Sequence, residues 1–294
     1  AKMGAVIKAK DDNYCPLEIS PSRLKGITYH SPISSAQLKS ALLFAGLYAD
    51  SPTTVIEPEV SRDHTERMLS AFGGTVIQDG KSVTVMPCPQ LKGQHIEVPG
   101  DISSAAYFIV AALILEGSSL TIKNVGINPT RAGIIDILTQ MGGRIELTNK
   151  RIVCGEPVCD ITVEHSRLHG VTVSGSIIPT LIDEIPILAV AAAFASGTTI
   201  IKNAEELKVK ESNRIDALYN ELTKMGANIT KLDDGLIIEG GAALCGAEVD
   251  SYDDHRIAMS LAIAALKCSS ETFITNPSCI KISFPNFFEI LEAL

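Results

Sequence analysis

Two short charged segments combine residue types that bind anions and move protons. The segment 208–214, Lys-Val-Lys-Glu-Ser-Asn-Arg, would place Lys210 and Arg214 four residues apart on one helix face, with Glu211 beside that face. In the second segment, His255 and Arg256 follow two aspartates at the start of an apolar helix pattern. A basic pair opposes the positive end of the helix dipole, so it predicts an anion bound between these side chains and the free backbone N–H groups.

The position of segment 208–214 in the chain decides between two interpretations of its charges. A solvent-exposed helix face with ordinary ion pairs would explain such a run if it stood alone. The run follows a strand pattern, however, and active-site loops of α/β proteins commonly lie directly after strands. Arg62 and Arg131 lie at corresponding positions elsewhere in the chain, each directly after a strand pattern and before a helix pattern. For Arg62 an anion ligand and a surface charge stay equally open, and His64 is expected to be a structural or surface histidine.

Polar residues also begin the three other apolar helix patterns. Their starts read Ser34-Ser35-Ala36-Gln37, Asp101-Ile102-Ser103-Ser104 and Ile182-Asp183-Glu184-Ile185. Because Ser and Asp are preferred N-cap residues, capping is the ordinary explanation, and we expect it for Ser103 and Ser104.

These helix starts belong to a motif that the chain repeats. Four times an apolar helix pattern is followed by a short β-branched strand, and in three copies a second helix then ends at Phe/Met-Gly-Gly/Ala. The signal glycines, together with a first copy at Gly4, recur at intervals of 69, 69 and 84 residues. The three that end a helix each predict a left-handed C-cap that turns the chain into the next strand. The fold class is therefore α/β with repeated βαβαββ units, and the apolar helices are expected to be buried among one another.

Length and composition favour a two-domain globular protein. The 294 residues suffice for two cores, and the Pro- and Gly-rich stretch 87–100 predicts a linker between domains at 1–99 and 100–294. The longest apolar run, around Ile185 to Ser196, suits a buried helix rather than a membrane span, so we expect a soluble protein.

Charge and cysteine usage narrow the partners and the compartment. A net charge of −9 argues against nucleic acid and anionic membranes as partners. Seven cysteines at scattered positions predict reduced thiols and a cytoplasmic location. Cys154 and Cys159 lack zinc-site spacing, and no metal site is expected.

Taken together, the motifs resemble the 5-enolpyruvylshikimate-3-phosphate synthase family. The resemblance covers the whole chain, and Lys-x-Lys-Glu-x-x-Arg with Asp-His-Arg is its most specific part. The motifs that carry it are Ser35-Ala36-Gln37, Gly100-Asp101-Ile102-Ser103-Ser104-Ala105, Asp183-Glu184, Lys210-Glu211-Ser212-Asn213-Arg214, the segment 252–259 and Ser283-Phe284-Pro285-Asn286-Phe287-Phe288. The family fold implies two domains of three repeats each, in an inside-out α/β arrangement with buried helices.

The resemblance implies a reaction and four catalytic roles. Members transfer the enolpyruvyl group of phosphoenolpyruvate to the 5-hydroxyl of shikimate 3-phosphate through a tetrahedral ketal, without metal or organic cofactor. Asp183 matches the carboxylate that deprotonates the hydroxyl, and Glu211 matches the acid that delivers and later recovers the methyl proton. Lys210 would contact the hydroxyl and the ketal, and His255 would assist the departure of phosphate.

Five further residues match substrate-binding positions of the family. Arg214 and Arg256 would hold the phosphoenolpyruvate carboxylate in forked pairs. Ser35, Gln37 and Arg62 would bind the phosphate and ring of shikimate 3-phosphate.

The sequence departs from the family pattern in three ways. Ala36 replaces a serine of many members, and Ile282 replaces a common lysine, which leaves the role of Lys281 open. Two upstream repeats of the family, with their lysine and arginine ligands, have no counterpart. We therefore expect a fragment that is inactive or very weak alone, whose partners include its own missing segment, and whose first domain exposes apolar surface.

Two alternatives remain beside this interpretation. The sister enolpyruvyl transferase that acts on UDP-N-acetylglucosamine shares the repeat architecture, but Glu211 between Lys210 and Arg214 favours the shikimate enzyme. A non-catalytic repeat scaffold is the alternative from another class, and the intact acid and base residues argue against it.

Overall fold

A computed structural model of the chain describes residues 1–88 and 90–294. It divides into two compact units, of which unit 1 comprises 1–97 with 152–156 and unit 2 comprises 98–151 with 157–294. Residues 87–88 and 90–99 of the expected linker form neither helix nor strand, and Pro89 lies outside the described residues.

The grouping of residues 152–156 with unit 1 was not anticipated from the sequence. Within this unit the Arg67 guanidinium donates to the Gly155 carbonyl oxygen at 2.9 Å. His64 Nδ1 lies 2.7 Å from Glu156 Oε1, so His64 has a defined partner and is not merely a surface residue. These contacts join positions about ninety residues apart, which no local pattern reveals.

Unit 1 contains a separate strand pair and one four-stranded sheet with two helices. The elements are β1 (Val6–Lys10), β2 (Tyr14–Ser20), β3 (Thr28–His30), α1 (Ala36–Leu47), β4 (Thr53–Ile56), α2 (His64–Ala71), β5 (Val76–Asp79) and β6 (Ser82–Val85). The sheet order is β3-β4-β6-β5, with β3 and β4 parallel and the other neighbours antiparallel. This is the expected βαβαββ unit.

Unit 2 repeats the same topology around a larger core. Its elements, together with the hairpin whose tip groups with unit 1, are α3 (Ile102–Ile114), β7 (Ser119–Gly126), α4 (Gly133–Gln140), β8 (Arg144–Val153), β9 (Glu156–Glu164), β10 (Thr172–Val173), α5 (Ile178–Leu181), α6 (Ile185–Phe194), β11 (Thr198–Ile201), α7 (Arg214–Lys224), β12 (Asn228–Leu232), β13 (Gly235–Glu239), β14 (Glu248–Asp250), α8 (His255–Ala265), β15 (Phe273–Thr275) and α9 (Phe287–Ala293). The sheet β10-β11-β13-β12 has the same strand directions as the sheet of unit 1.

The expected burial of the apolar helices is confirmed in unit 2. Helices α3, α6 and α8 pack against one another, and all but one residue of α3 and of α6 is buried. Because these helices are apolar nearly all round, each needs the other two to cover the faces that a single sheet leaves open. The helices therefore form the core of unit 2 and the sheets lie outside them, which is the inside-out arrangement.

The same expectation is wrong for α1 of unit 1. Only Lys39, Leu43, Gly46 and Leu47 of its twelve residues are buried, and the Phe44 side chain is 51% exposed. Helix α1 packs against β4 and β6 of its own sheet, which covers one side of it. Large apolar side chains of this unit consequently face outward, as the sequence predicted.

The predicted glycine C-caps are confirmed at the three signals that follow a helix. Gly73, Gly142 and Gly226 have φ of +87°, +93° and +94°, directly after α2, α4 and α7. At the end of α2, Gly73 N–H donates to Ser70 O and Gly74 N–H to Leu69 O, the pair of bonds that defines a Schellman motif. Gly4 adopts the same conformation at φ +87°.

One helical stretch of unit 2 is longer than the apolar run seen in the sequence. Residues Gly175–Phe194 are continuously helical and have a mean hydropathy of 1.9, so by length and composition alone they could cross a membrane. The buried share of this window is 72%, and the core helix of a globular protein passes the same test. The short helical turns Ile178–Leu181 and Ile182–Glu184 within it bring the carboxylates of Asp183 and Glu184 into that core.

Candidate active site

Asp183 and Glu184 lie at the positive end of the most deeply buried helix. They form a 3₁₀ turn, Ile182–Glu184, directly before α6, whose first turn contains Pro186. Both carboxylates are nearly buried, with 9% and 3% of the residues exposed. A helix N-terminus stabilises negative charge, so this position suits a carboxylate that acts while ionised.

Lys210 and Arg214 reach Asp183 from a loop and not from a shared helix face. Helix α7 begins only at Arg214, with Asn213 as N-cap, and Lys210 precedes it in an extended conformation, so the predicted i,i+4 arrangement is wrong. Lys210 Nζ nevertheless lies 3.6 Å, and Arg214 Nη1 3.4 Å, from Asp183 Oδ1. The turn ahead of α7 brings both cations to one carboxylate.

The Arg214 guanidinium is almost completely enclosed by acidic partners. Its side chain is 1% exposed, and its Nε donates to Asp254 Oδ2 at 2.8 Å. Its Nη2 pairs with Glu211 Oε2, which keeps a half-exposed Glu211 at the rim. Burial would raise the pKa of Asp254, but the Arg214 hydrogen bond and charge outweigh it, and the pKa is lowered.

The start of α8 supplies a histidine and a third cation. Asp254 caps this helix by accepting the Arg256 N–H at 2.9 Å, and His255 and Arg256 form its first turn. Arg256 Nη1 donates to the Asp183 carbonyl oxygen at 3.2 Å and lies 3.8 Å from Glu184 Oε1. Burial and then the Arg256 charge lower the pKa of His255, so its imidazole is mainly neutral at pH 7.

Ser103 belongs to this cluster instead of capping its own helix. The N-cap of α3 is Asp101, whose carboxylate accepts the Ser104 N–H at 2.9 Å, so the capping role expected for Ser103 and Ser104 is wrong. Ser103 Oγ donates to Glu184 and accepts from Arg131 Nη2 at 2.7 Å. Burial raises the pKa of Glu184 above its usual value.

Sequence reasoning missed Glu184 and Arg131 as parts of the cluster. Arg131 could have been noticed, because like Arg62 it lies directly after a strand pattern. Its partner Ser103 lies 28 residues away, however, so no local pattern shows that the two side chains meet. Glu184 was visible only as a neighbour of Asp183.

The remaining three candidate residues, Ser35, Gln37 and Arg62, lie in unit 1. Ser35 caps α1 by accepting the Leu38 N–H at 3.4 Å, and Gln37 is exposed in the first turn. Arg62 lies in the loop between β4 and α2. Ser34 Oγ donates to Glu59 O at 2.8 Å and so joins the start of α1 to that loop.

A buried lysine anchors the loop that carries Arg62. Lys39 Nζ lies 2.9 Å from Glu57 Oε2 and 2.8 Å from Glu66 Oε1, and it donates to Ser61 O at 3.3 Å. Ser61 Oγ in turn donates to Glu57 Oε1 at 2.6 Å. Both ends of the loop are therefore held by one charge network with at most 3% exposure of each charged side chain.

Three cations around paired carboxylates, within repeated βαβαββ units, define an enzyme for small anionic substrates. Comparison with known proteins specifies the class further. The chain matches the family model of EPSP synthase (3-phosphoshikimate 1-carboxyvinyltransferase) over residues 1–291.

Relatives and solved structures agree with this match. The chain is 56% identical over 292 residues to the 3-phosphoshikimate 1-carboxyvinyltransferase of Thermoanaerobacter sp., covering 99% of this chain and 69% of that protein. It is 57% identical over 293 residues to the enzyme of that name from Synechocystis sp., covering 99% and 66%. The solved EPSP synthase of Acinetobacter baumannii superposes with a TM-score of 0.93 at 44% identity, covering 99% and 68%.

The chain belongs to the EPSP synthase family. It is thus a member of a transferase family of the shikimate pathway, and the resemblance and inside-out fold read from the sequence are confirmed. It spans about two thirds of the length of these relatives.

Proposed function

We propose that this chain transfers the enolpyruvyl group of phosphoenolpyruvate to the 5-hydroxyl of shikimate 3-phosphate. The hydroxyl oxygen bonds to C2 of phosphoenolpyruvate while C3 gains a proton, which gives a tetrahedral ketal. The C3 proton then leaves as the C2–O bond to phosphate breaks, releasing phosphate and 5-enolpyruvylshikimate 3-phosphate. The observation that carries the proposal is the convergence of Lys210, Arg214 and Arg256 on Asp183, in a chain of this family.

Asp183 is the proposed base for the 5-hydroxyl. Cations at 3.4–3.9 Å stabilise its negative charge, and the start of α6 adds the favourable end of a helix dipole. An ionised carboxylate in hydrogen-bond reach of the hydroxyl can take its proton as the new C–O bond forms. Lys210, with a side chain 20% exposed, is accessible to donate to the hydroxyl and ketal oxygens.

Glu211 is the proposed acid that protonates C3 and later recovers that proton. Its side chain is 51% exposed, so a substrate can reach the carboxyl group, while the contact with Arg214 Nη2 restricts where it points. As the acid, Glu211 donates from its protonated form, in which its second oxygen can still accept from Arg214. The proposed acid and base therefore contact different nitrogens of one guanidinium, since Arg214 Nη2 pairs with Glu211 and Nη1 lies 3.4 Å from Asp183. One side chain thereby spaces both proton-transfer groups.

Arg256, Arg214 and His255 are the proposed ligands of phosphoenolpyruvate. Arg256 is 16% exposed and can exchange its long contacts with Asp183 and Glu184 for a ligand carboxylate. Arg214 is 1% exposed, so its direct contact with a ligand requires that Glu211 move. We propose that the phosphate and ring of shikimate 3-phosphate are bound by Ser35, Gln37 and Arg62. These residues belong to the first of two proposed domains, 1–99, and residues 100–294 form the second.

The family match favours this reaction over the UDP-N-acetylglucosamine transferase and over a non-catalytic scaffold. We further propose a cytoplasmic location, which the seven free cysteines support. The negative net charge supports a protein that does not bind nucleic acid or anionic membranes.

The test is release of phosphate and formation of the enol ether from the two substrates. It is run with the chain alone and with the remaining third of a relative's sequence supplied as a separate polypeptide. The expectation that the chain alone is inactive or very weak stays a prediction, which the same assay measures. In the active preparation, Asp183→Asn is expected to lower kcat by roughly 10²–10⁴-fold, because it removes a general base.

The matched control is Asp160→Asn, since Asp160 is half-buried on β9, outside the cluster, and accepts from Asn124 N–H and Asn149 Nδ2. It is expected to leave kcat unchanged. Transfer to UDP-N-acetylglucosamine in place of shikimate 3-phosphate would support the sister enzyme. Absence of transfer to either acceptor, by a folded preparation that contains both polypeptides, would contradict the proposal.

A further inference from the structure

The segment between β14 and α8 contains two consecutive residues in a conformation that side chains disfavour. Tyr252 and Asp253 both have φ of +54°, and neither is glycine. Non-glycine residues in the left-handed region are strained and persist where the surroundings hold them. Because Asp254, His255 and Arg256 follow directly, the contacts that hold this segment also set where those side chains lie.

A fully buried carboxylate on α7 holds the first half of the segment. Glu221 is 0% exposed, and its Oε2 accepts the Asp250 N–H at 2.9 Å. Its Oε1 accepts the Tyr252 hydroxyl at 2.9 Å, and Lys224 Nζ lies 2.7 Å from Oε2. A buried carboxylate requires such partners, and here one of the three, Tyr252, belongs to the strained segment and another, Asp250, is the strand residue that leads into it.

Asn276 and Ser251 hold the other half. Asn276 Nδ2 donates to the Asp253 carboxylate, and the buried Ser251 donates from Oγ to the Asn276 carbonyl oxygen at 3.3 Å. Asp254 N–H donates to Ser251 O at 2.9 Å. The segment is thus tethered on two sides, and its backbone enters α8 in one defined direction.

Helix α7 connects this tether to the proposed catalytic cluster. Arg214 and Glu221 are seven residues apart, which is two turns and about 10 Å along one helix face. Arg214 pairs with Asp254 through Nε at 2.8 Å, and Glu221 binds Tyr252 two residues earlier in the same segment. One helix therefore holds both ends of the segment that leads into His255 and Arg256.

We propose that Glu221 and Tyr252 are positioning residues that set the placement of His255 and Arg256 for anion binding. The identity of the anion rests on the proposed function. The placement of His255 and Arg256 by these two residues does not depend on it. Neither side chain is assigned a contact with substrate, and each acts through the backbone of residues 250–254.

The experiment compares Tyr252→Phe with Tyr219→Phe in the full chain. Tyr219 lies on the same helix, and its ring contacts the Lys231 ammonium at 5.7 Å, so the change is chemically identical but remote from the segment. Two properties are measured: the NMR signals of the His255 imidazole, and the affinity for sulfate as a non-titrating anion. Tyr252→Phe removes the hydroxyl that donates to Glu221 and accepts from Asn220 Nδ2, and it is expected to shift the His255 signals and to weaken sulfate binding roughly two- to tenfold.

Glu221→Leu and Glu221→Gln extend the test to the carboxylate. The leucine variant removes the acceptor of both the Asp250 N–H and the Tyr252 hydroxyl, and it is expected to weaken sulfate binding more than Tyr252→Phe does. Glutamine can still pair with both groups and is expected to restore most of the affinity. If Glu221→Leu does not fold, Tyr252→Phe decides the question by itself.

In the active preparation, Tyr252→Phe is expected to raise KM for phosphoenolpyruvate and lower kcat together. Equal His255 signals and equal sulfate affinity in Tyr252→Phe and Tyr219→Phe would overturn the positioning role. Loss of the proposed function alone has a different signature. The parent chain would then fail to turn over the two substrates, while the His255 signals would still respond to Tyr252→Phe.

Discussion

At the residue scale, His255 and Arg256 are adjacent but have different charge environments. Burial alone would lower the pKa of Arg256, yet Tyr107 and the Asp183 and Glu184 carboxylates outweigh it, and the pKa is raised. For His255, burial and the Arg256 charge act in the same direction and lower the pKa of the imidazole. An anion bound beside His255 would favour the imidazolium and reverse this shift.

Anion binding is therefore expected to be accompanied by proton uptake. Burial and the Arg256 charge lower the pKa of His255 in the free protein, and a bound anion raises it, so between the two pKa values the complex holds more protons than the free protein. We expect uptake of a fraction of one proton per sulfate in that pH range, and none well above or well below it. Calorimetry in buffers of different ionisation enthalpy measures this number.

The proton uptake is expected to disappear in His255→Gln and to persist in His169→Gln, whose ring is exposed at the surface. Unchanged uptake in His255→Gln would show that another group takes the proton.

At the scale of elements, α1 differs from the other apolar helices by burying a charge. Lys39 is 1% exposed and lies between Glu57 at the end of β4 and Glu66 in α2. Burial raises the pKa of Glu66, while Lys39 counteracts that shift. The lysine therefore connects three elements of unit 1, and removing it would leave two buried carboxylates side by side.

Lys39→Met is expected to lower the free energy of unfolding of unit 1 by about 3–5 kcal/mol, the range for breaking a buried ion pair. Urea denaturation followed by circular dichroism measures the change. The control is Lys81→Met, because Lys81 pairs with Glu59 at 2.8 Å but is 50% exposed. An exposed pair contributes about 0–1 kcal/mol, so equal losses in both variants would contradict a structural role for the buried network.

At the scale of the whole molecule, the two units have very different cores. The core of unit 1 consists of Leu43, Leu47, Val55, Leu69, Val83 and Val85. Unit 2 has a single large cluster in which α3, α6 and α8 are central. Since stability grows with the apolar surface removed from water, the units are not expected to unfold together.

Hydrogen exchange at increasing urea concentration is expected to show two transitions. Amides of β4 and β6 in unit 1 should lose protection at lower urea than amides of α6 and β13 in unit 2. A single transition with equal free energies in both units would contradict this expectation and would indicate that the units unfold cooperatively.

Much of the fold and of the site was determined by the sequence alone. The C-caps at Gly73, Gly142 and Gly226 are local, because a left-handed residue after a helix end depends on a few neighbouring positions. The apolar helices of unit 2 follow from composition over a dozen residues. The family was recognisable because the motifs around Lys210 and His255 are short and continuous in the chain.

The tertiary structure alone decided which of these residues meet. Lys210 joins Arg214 at Asp183 through a turn, whereas the sequence suggested a shared helix face. Ser103 binds a carboxylate 81 residues away instead of capping its helix, and Glu221 holds Tyr252 from 31 residues away. Such contacts depend on how whole elements pack, and a buried polar group takes whichever partner that packing brings within reach, so no local pattern encodes them.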